Sequence, residues 1–209
     1  MKLLHISDIH GNKDNLEIVL NIAQAKHKDI EVVACSGDLI SSCLSVEEAK
    51  KMHSAFGFIK RSIKSDQQVP FPDLLNFLLS SSKAPSELKK AAEDYSDLEK
   101  KFDELASGQY GALADVVKGF PQKFFIIPGN SDSTQFFNFF DRFSLHNNVE
   151  TFNGVKFAGY GSLGEVPIFL PPTRIINTSE EKLYERMIES DPDVALTHIP
   201  PYGFQDTNL

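Results

Sequence analysis

The chain has 209 residues, 41% of them hydrophobic and 24% charged, which is typical of a soluble globular domain with its own core. Its 29 acidic and 21 basic residues give a net charge of −8. This balance argues against a nucleic acid partner, because binding to a phosphate backbone depends on clustered Lys and Arg. No apolar stretch is long enough to span a membrane, and two cysteines are too few for a disulfide framework. We therefore expect a cytoplasmic protein without a membrane partner.

The first predicted strand ends in an aspartate and a histidine. Residues 3–6 are mostly apolar, which indicates a buried strand, and Asp8 and His10 follow it directly. Asn12 is a good N-cap for the next segment, whose apolar residues recur at helical spacing as far as residues 26–28. A carboxylate and an imidazole two residues apart form half of a metal site, although the Asp-x-His pattern alone is common by chance.

Three later strands also end in polar residues. Short apolar runs that alternate with helical segments predict a mainly parallel sheet, and the carboxyl ends of such strands meet at one edge. The later strands and the polar residues after them are residues 31–35 with Asp38, residues 123–127 with Asn130 and Asp132, and residues 193–197 with His198. Each of these polar residues alone has an ordinary explanation as a turn, cap or loop residue. Their occurrence at successive strand ends indicates a common site.

Between residues 41 and 119 helical patterns replace strands. Residues 72–80 carry a leucine stripe, and apolar residues from Leu88 to Leu105 alternate in steps of three and four. This pattern predicts a long helix that ends at Gly108 and spans roughly 30 Å. A helical insertion over residues 42–119 could pack on the sheet edge, cap the crevice or form a dimerisation hairpin, and the sequence does not choose among these.

The remaining elements are assigned from shorter patterns. A phenylalanine-rich helix over residues 136–143 is expected to pack in the core. An Asn-Gly pair at residues 153–154 predicts a hairpin turn. His146 is expected at the surface, and a helix that begins at Ser179 is expected to turn Ile188 inward.

Together the strand-end motifs resemble the calcineurin-like metallophosphoesterase superfamily, and in particular a phosphodiesterase-type member. The series, in the family's order, is Asp8-Ile9-His10, Gly37-Asp38, Gly129-Asn130-Ser131-Asp132 and Thr197-His198. The resemblance covers most of the chain apart from the helical insertion. It implies an α/β fold, namely a four-layer α/β/β/α sandwich, with one metallophosphoesterase domain over residues 1–209.

The resemblance also implies a site for two divalent metal ions. Asp8 and His10 would hold the first ion, Asn130 and His198 the second, and Asp38 would bridge both. By the same resemblance, a hydroxide that bridges the ions attacks the phosphorus of a small phosphate ester. Oxygen and imidazole ligands together suit Mn²⁺, our first expectation, and also Fe²⁺, Ni²⁺ and Zn²⁺.

Departures from the family pattern bear on the activity. Where the family has a histidine that acts as general acid, this chain has Ser131, whose hydroxyl is too weakly acidic for that role. Members without that histidine tend to be phosphodiesterases. Asp132 matches the acidic residue that closes the motif, and it is expected to act behind the ligands or to cap the next helix. Substrate specificity is expected to depend on residues 164–167 and on the insertion.

The family's closing Gly-His-x-His motif has no counterpart after His198. We therefore expect a C-terminally incomplete domain that lacks its last strands, with residues 200–209 forming a loop. The loss of these ligands predicts weak or absent metal binding by this chain.

Three functional classes remain open from the sequence. The first is a metal-dependent phosphoesterase, with diesters favoured over monoesters. The second is a non-catalytic scaffold or interaction protein on the same fold, which the missing motif and the long helical insertion support. The insertion could also join two copies of the chain in a homo-oligomer. The third is a nuclease, against which the acidic balance and the lack of a Lys/Arg cluster beside the motifs argue. Mn²⁺ uptake by the complete protein separates the first class from the second, and hydrolysis of a small diester but not of DNA excludes the third.

Overall fold

Parallel strands form the first sheet of the structure, a computed structural model that describes residues 1–62, 69–162 and 167–199 and, for residues 180–184, the backbone only. The strands are β1 (Lys2–Ile6), β2 (Ile30–Cys35) and β3 (Lys123–Ile126), paired in that order. Helix α1 (Lys13–Lys26) connects β1 to β2. The Asn12 side chain caps α1 by accepting the Asn15 N–H at 3.0 Å, as the sequence predicts.

The second sheet contains a hairpin and one parallel strand. Strands β4 (Asn148–Phe152) and β5 (Val155–Tyr160) are antiparallel, and β6 (Val194–Thr197) pairs parallel to β5. Asn153 and Gly154 in the hairpin turn have positive φ angles of 49° and 80°. These angles are typical of a two-residue hairpin, which confirms the predicted turn.

The two sheets pack face to face, and helices cover both outer faces. Side chains alternate along each strand, so that Val32 of β2 and Phe125 of β3 face Phe157 of the second sheet. Their neighbours on the strands, among them Val33 and Phe124, face the helices instead. Helix α6 (Glu180–Ser190) lies on the far side of the second sheet. The predicted four-layer α/β/β/α sandwich is thus confirmed.

The first strand is less buried than its apolar run predicts. Leu3 is 38% exposed, and Leu4 and Ile6 are only half-buried against the helices. The reason is that β1 lies at the edge of the described part of its sheet, where one face of the strand is incompletely covered.

The segment between β2 and β3 is helical, as predicted. It contains α2 (Val46–Arg61), α3 (Phe71–Ser80) and α4 (Ser86–Lys118). Ser45 and Glu48 form a reciprocal capping box at the start of α2. None of the described helices is long and apolar enough to cross a bilayer.

The predicted end of the long helix at Gly108 is wrong, because α4 continues to Lys118 and is about 50 Å long. A glycine inside a helix costs about 1 kcal/mol relative to alanine. Beyond Gly108, however, Tyr110 and Val117 are buried, and burial of such side chains stabilises by roughly 1.5–3 kcal/mol each. These later turns share one core with β2 and β3, whereas the earlier turns pack on α2 and α3. The boundaries of an insertion over residues 42–119 stay a prediction.

Three side chains differ from their predicted environments. Leu105 is 44% exposed, and Ala106 takes its place in the helix seam. Ile188 of α6 is 79% exposed rather than inward-facing. His146 is half-buried, and its Nδ1 accepts the Gly161 N–H at 3.0 Å. Burial, with a smaller contribution from the charge of Arg186, lowers the pKa of His146 to about 4.

The phenylalanine-rich segment packs in the core as predicted. Helix α5 (Phe136–Phe140) is followed by a 3-10 helix at Asp141–Phe143, and a second 3-10 helix lies at Pro172–Arg174. Phe136 and Phe140 are fully buried.

Candidate metal centre

The loops that follow β1 and β2 hold strained backbone conformations. Asp8, His10 and Asp38 have positive φ angles of 54°, 46° and 54°. A non-glycine residue in this region costs on the order of 1 kcal/mol or more, and such residues cluster at functional sites. All three are residues that the sequence predicts as ligands.

Backbone hydrogen bonds hold these two loops side by side beyond the ends of their strands. The Asp8 N–H donates to the Gly37 oxygen at 3.0 Å, and the His10 N–H donates to the Asp38 oxygen at 3.0 Å. The Gly11 N–H likewise donates to the Leu39 oxygen at 2.7 Å. The polar side chains of both loops therefore lie at the same edge of the sheet.

Two glycines allow the loops after β2 and β3 to touch. A Cβ on Gly37, which has a φ of 104°, would lie 2.3 Å from the Gly129 nitrogen. A Cβ on Gly129 would lie 2.1 Å from Asp38 Oδ1. The same carboxylate oxygen accepts the Ser131 N–H at 3.0 Å. Larger residues at either glycine would push the Asp38 carboxylate away from the third loop.

Asp8, His10 and Asp38 form one compact ligand group. One ligand atom from each residue lies within 4.8 Å of the others, and His10 Nε2 is 3.7 Å from Asp8 Oδ1. Asp8 and His10 are exposed, whereas Asp38 is 7% exposed. Two carboxylates and an imidazole at these separations are a donor set that fits a divalent ion.

The second sheet contributes the other half of the group. His198 follows β6, and its Nε2 lies 3.6 Å from Asp38 Oδ1 and 3.2 Å from Asn130 Oδ1. Asp38 thus lies between the pair Asp8 and His10 on one side and the pair Asn130 and His198 on the other. The structure brings together all five residues that the sequence predicts as metal ligands.

Backbone carbonyls orient both histidine rings. His198 Nδ1 lies 2.8 Å from the Ser36 oxygen, and His10 Nδ1 lies 3.4 Å from the Ile40 oxygen. Because a carbonyl oxygen only accepts, each of these contacts needs a proton on Nδ1, which leaves Nε2 as the ring nitrogen that faces the site. Metal-ligating histidines are held in this way. The convergence of several electron-pair donors at one place fits a cation.

Asp132 lies behind the ligands and does not cap the helix that follows it. Its fully buried carboxylate accepts N–H groups from Leu39 at 3.1 Å, Ile40 at 3.4 Å and Gly129 at 2.7 Å. Burial raises the pKa of Asp132 to about 6, against the opposing effect of these hydrogen bonds. The side chain therefore ties the loop after β2 to the loop after β3.

Two residues beside the site were missed by sequence reasoning. Tyr110 and Gln109 of α4 hydrogen-bond to Asp132 and to Ser41 respectively. The signal for Tyr110 is its spacing, since Phe102, Ala106 and Tyr110 follow one another in steps of four on one face of the helix. A helix that ends at Gly108 does not include Tyr110.

An open pocket of about 360 Å³ adjoins Asp8 and His10. Its remaining lining combines apolar and amide side chains, among them Leu16, Val19 and Asn15. The predicted specificity loop at residues 164–167 lies, apart from Pro167, outside the described residues. Residues 200–209, which the sequence reading treats as a loop, also lie outside them.

A family model for calcineurin-like phosphoesterases matches residues 1–208. The chain belongs to this family. It is accordingly a hydrolase of the metal-dependent phosphoesterase class, and its Asp-His-Asp group is a candidate site for the divalent ions that the family binds. The resemblance inferred from the strand-end motifs is confirmed.

Comparison with solved structures supports the fold of this phosphoesterase. One crystal structure superposes with a TM-score of 0.55 at 13% sequence identity, covering 96% of this chain and 70% of that chain. At this identity the likeness concerns the fold alone. None of the curated proteins matches the chain.

Proposed function

We propose that this phosphoesterase hydrolyses small phosphodiesters at a centre for two divalent ions, with Mn²⁺ as the first choice. Asp8 and His10 would hold one ion and Asn130 and His198 the other, with the Asp38 carboxylate available to both. The observation that supports this most directly is the position of Asp38, which is grouped with Asp8 and His10 and also lies 3.6 Å from His198 Nε2.

Bound divalent ions supply two kinds of chemistry, since they polarise phosphate oxygens and lower the pKa of water. The residues of the chain fix where this happens. Ser7 Oγ donates to Asp8 Oδ2 at 2.5 Å, which leaves Asp8 Oδ1 facing His10. The Ser131 N–H holds Asp38 Oδ1 at 3.0 Å. Asp8 is therefore oriented by Ser7 of its own loop, and Asp38 is oriented by Ser131 of the loop after β3.

Ser131 supports diesters, because it stands where the family has a histidine general acid and members without that histidine tend to be phosphodiesterases. A serine hydroxyl is a poor general acid near neutral pH, so the leaving group must depart without a proton from this position. An ester whose leaving group is itself stable as an anion, such as an aryl ester, meets that requirement, and an aryl diester is the substrate that satisfies both conditions. The pocket of about 360 Å³ beside Asp8 falls in the lower range of small-molecule sites, which supports a small substrate over a polymer.

Replacement of the central carboxylate tests this proposal. Asp38→Ala should lower Mn²⁺-dependent hydrolysis of bis-p-nitrophenyl phosphate by more than roughly 100-fold, since loss of a group behind a ligand alone costs up to that factor. Asp115→Ala is the matched control, because Asp115 is exposed on α4, where its carboxylate pairs with Lys118 at the surface. Turnover by Asp38→Ala equal to that of the control would exclude Asp38 as a ligand. A higher kcat/KM for p-nitrophenyl phosphate than for the diester would contradict the diester preference.

A scaffold or interaction protein is the second candidate. It is favoured by exposed apolar side chains on α1, where Ile18 is 55% and Ile22 is 48% exposed. Such side chains in a patch are typical of a surface that binds another protein. Titration with Mn²⁺ distinguishes the two candidates, because a scaffold that has lost its activity takes up no ion.

A further inference from the structure

Helix α4 reaches the metal centre from behind at two consecutive residues. Tyr110 is fully buried, and its hydroxyl donates to Asp132 Oδ1 at 3.0 Å while accepting the Ser133 N–H at 2.9 Å. The ring packs against Phe139 and Phe140, with centroid distances of 5.9 and 6.1 Å. The hydroxyl is therefore positioned by two hydrogen bonds and by the packing of its ring against two phenylalanines.

Gln109 contacts the loops after β1 and β2. Its Oε1 accepts the Ser41 N–H at 2.9 Å and the Ser41 hydroxyl at 3.1 Å. A Cβ on Gly11 would lie 2.3 Å from the same oxygen, so the amide occupies space that only glycine leaves open. Gly11 directly follows His10, and Ser41 directly follows Ile40, whose carbonyl faces His10 Nδ1 at 3.4 Å.

These contacts link α4 to every ligand-bearing loop of the first sheet. Through Asp132, Tyr110 acts on Leu39 and Gly129, which flank Asp38 and Asn130 in the sequence. Gln109 acts on the backbone next to His10. Neither α4 residue lies in the ligand group itself, so neither is a catalytic residue.

We propose that Tyr110 and Gln109 are positioning residues of the metal centre, which act through Asp132 and Ser41 on the loops that carry the ligands. This rests on the proposed metal centre. It also gives the segment between β2 and β3 a definite role, since its long helix supports the site from behind rather than covering its opening. Partners behind the ligands of a metal site typically change its affinity by 10–100-fold.

A matched pair of tyrosines on α4 tests this inference. Tyr95 is also fully buried, and its hydroxyl also bonds a side chain, Thr173 Oγ1 at 2.8 Å, away from the metal centre. Tyr110→Phe and Tyr95→Phe each remove one buried hydroxyl, so both should lower the thermal midpoint. In titration calorimetry of the full chain, Tyr110→Phe should bind Mn²⁺ roughly 10-fold more weakly, while Tyr95→Phe stays within about twofold of the unaltered chain.

Hydrogen exchange without metal gives a second, independent measurement. The amides of Leu39, Ile40 and Gly129 should exchange faster in Tyr110→Phe and at unaltered rates in Tyr95→Phe, because only the first variant loosens Asp132. Equal Mn²⁺ affinities and equal exchange rates in the two variants would overturn the inference. If the unaltered chain takes up no Mn²⁺, the proposed metal centre fails, and exchange alone then decides whether Tyr110 positions the loops.

Gln109→Met provides a second variant if Tyr110→Phe does not fold. It keeps a half-buried side chain of similar length but removes the acceptor for Ser41. Faster exchange of the Ser41 amide together with weaker Mn²⁺ binding would support the inference, and no change in either would overturn it.

Discussion

Gly37 and Gly129 decide how closely two ligand-bearing loops approach. Neither position leaves room for a Cβ, because the nearest atoms of the other loop would lie 2.3 and 2.1 Å away. The φ of 104° at Gly37 adds a second restriction, since L residues rarely adopt it. At the residue scale, the metal centre therefore depends on the absence of side chains as much as on its ligands.

Gly37→Ala should lower the free energy of unfolding by about 3 kcal/mol, because it combines a disfavoured φ with a clash against the Gly129 backbone. Gly154→Ala is the control: its φ is 80°, but a Cβ there meets open space, and we expect a cost of about 1 kcal/mol. Urea denaturation of both variants measures the difference. Equal losses in the two variants would show that the contact between the glycines contributes nothing.

The positions of the candidate ligands were predictable from sequence because each follows a strand directly. Asp8, Asp38 and Asn130 come after apolar runs that indicate strands. The carboxyl ends of parallel strands lie at the same edge of a sheet, so these three residues are expected to lie close together. The hydrogen bonds that orient them were not predictable. The contact between Leu39 and Asp132 joins residues 93 positions apart, and no local pattern records a bond of that kind.

Among the secondary-structure elements, α4 shows most clearly how packing overrides local preference. Two glycines, Gly108 and Gly111, lie inside it, and the first was interpreted as its end. The burial of Tyr110, Leu113 and Val117 stabilises the helix by more than the two glycines destabilise it. The apolar spacing of these side chains is visible in the sequence, but the sheet surface on which they pack is not. The length of α4 therefore could not be predicted from its own residues.

Gly108→Ala should raise the free energy of unfolding by about 1 kcal/mol, because a Cβ at this helical position meets no other atom within 4 Å. The gain comes from the backbone entropy that glycine loses on folding. Thermal denaturation followed by circular dichroism measures it. A lower midpoint for Gly108→Ala would contradict the observation that α4 is continuous at this residue.

In the molecule as a whole, the candidate metal centre takes residues from both sheets. His198 follows the second sheet, yet its Nδ1 lies 2.8 Å from the Ser36 oxygen of the first sheet. An ion held jointly by Asp38 and His198 would therefore connect the two halves of the sandwich, and its binding free energy would add to the stability of the fold.

Mn²⁺ at 100 times its dissociation constant should raise the free energy of unfolding by about 2.7 kcal/mol, provided that only the folded chain binds it. The thermal midpoint should rise with Mn²⁺ and return to its starting value when EDTA is added. His198→Ala should abolish most of the increase, and the same replacement of the exposed His27 should leave it intact. A midpoint that is the same in Mn²⁺ and EDTA would argue against an ion between the sheets.

The long-range bond from Asp132 to Leu39 also bears on the order of folding. It closes a loop of 93 residues, and the chain entropy lost in such a closure is worth about 4 kcal/mol. The loops after β1 and β2 meet through hydrogen bonds of their own, whereas the loop after β3 reaches them only when this longer loop closes. An ion that takes ligands from the loops after β2 and β3 can therefore bind only chains in which β3 has already joined β2.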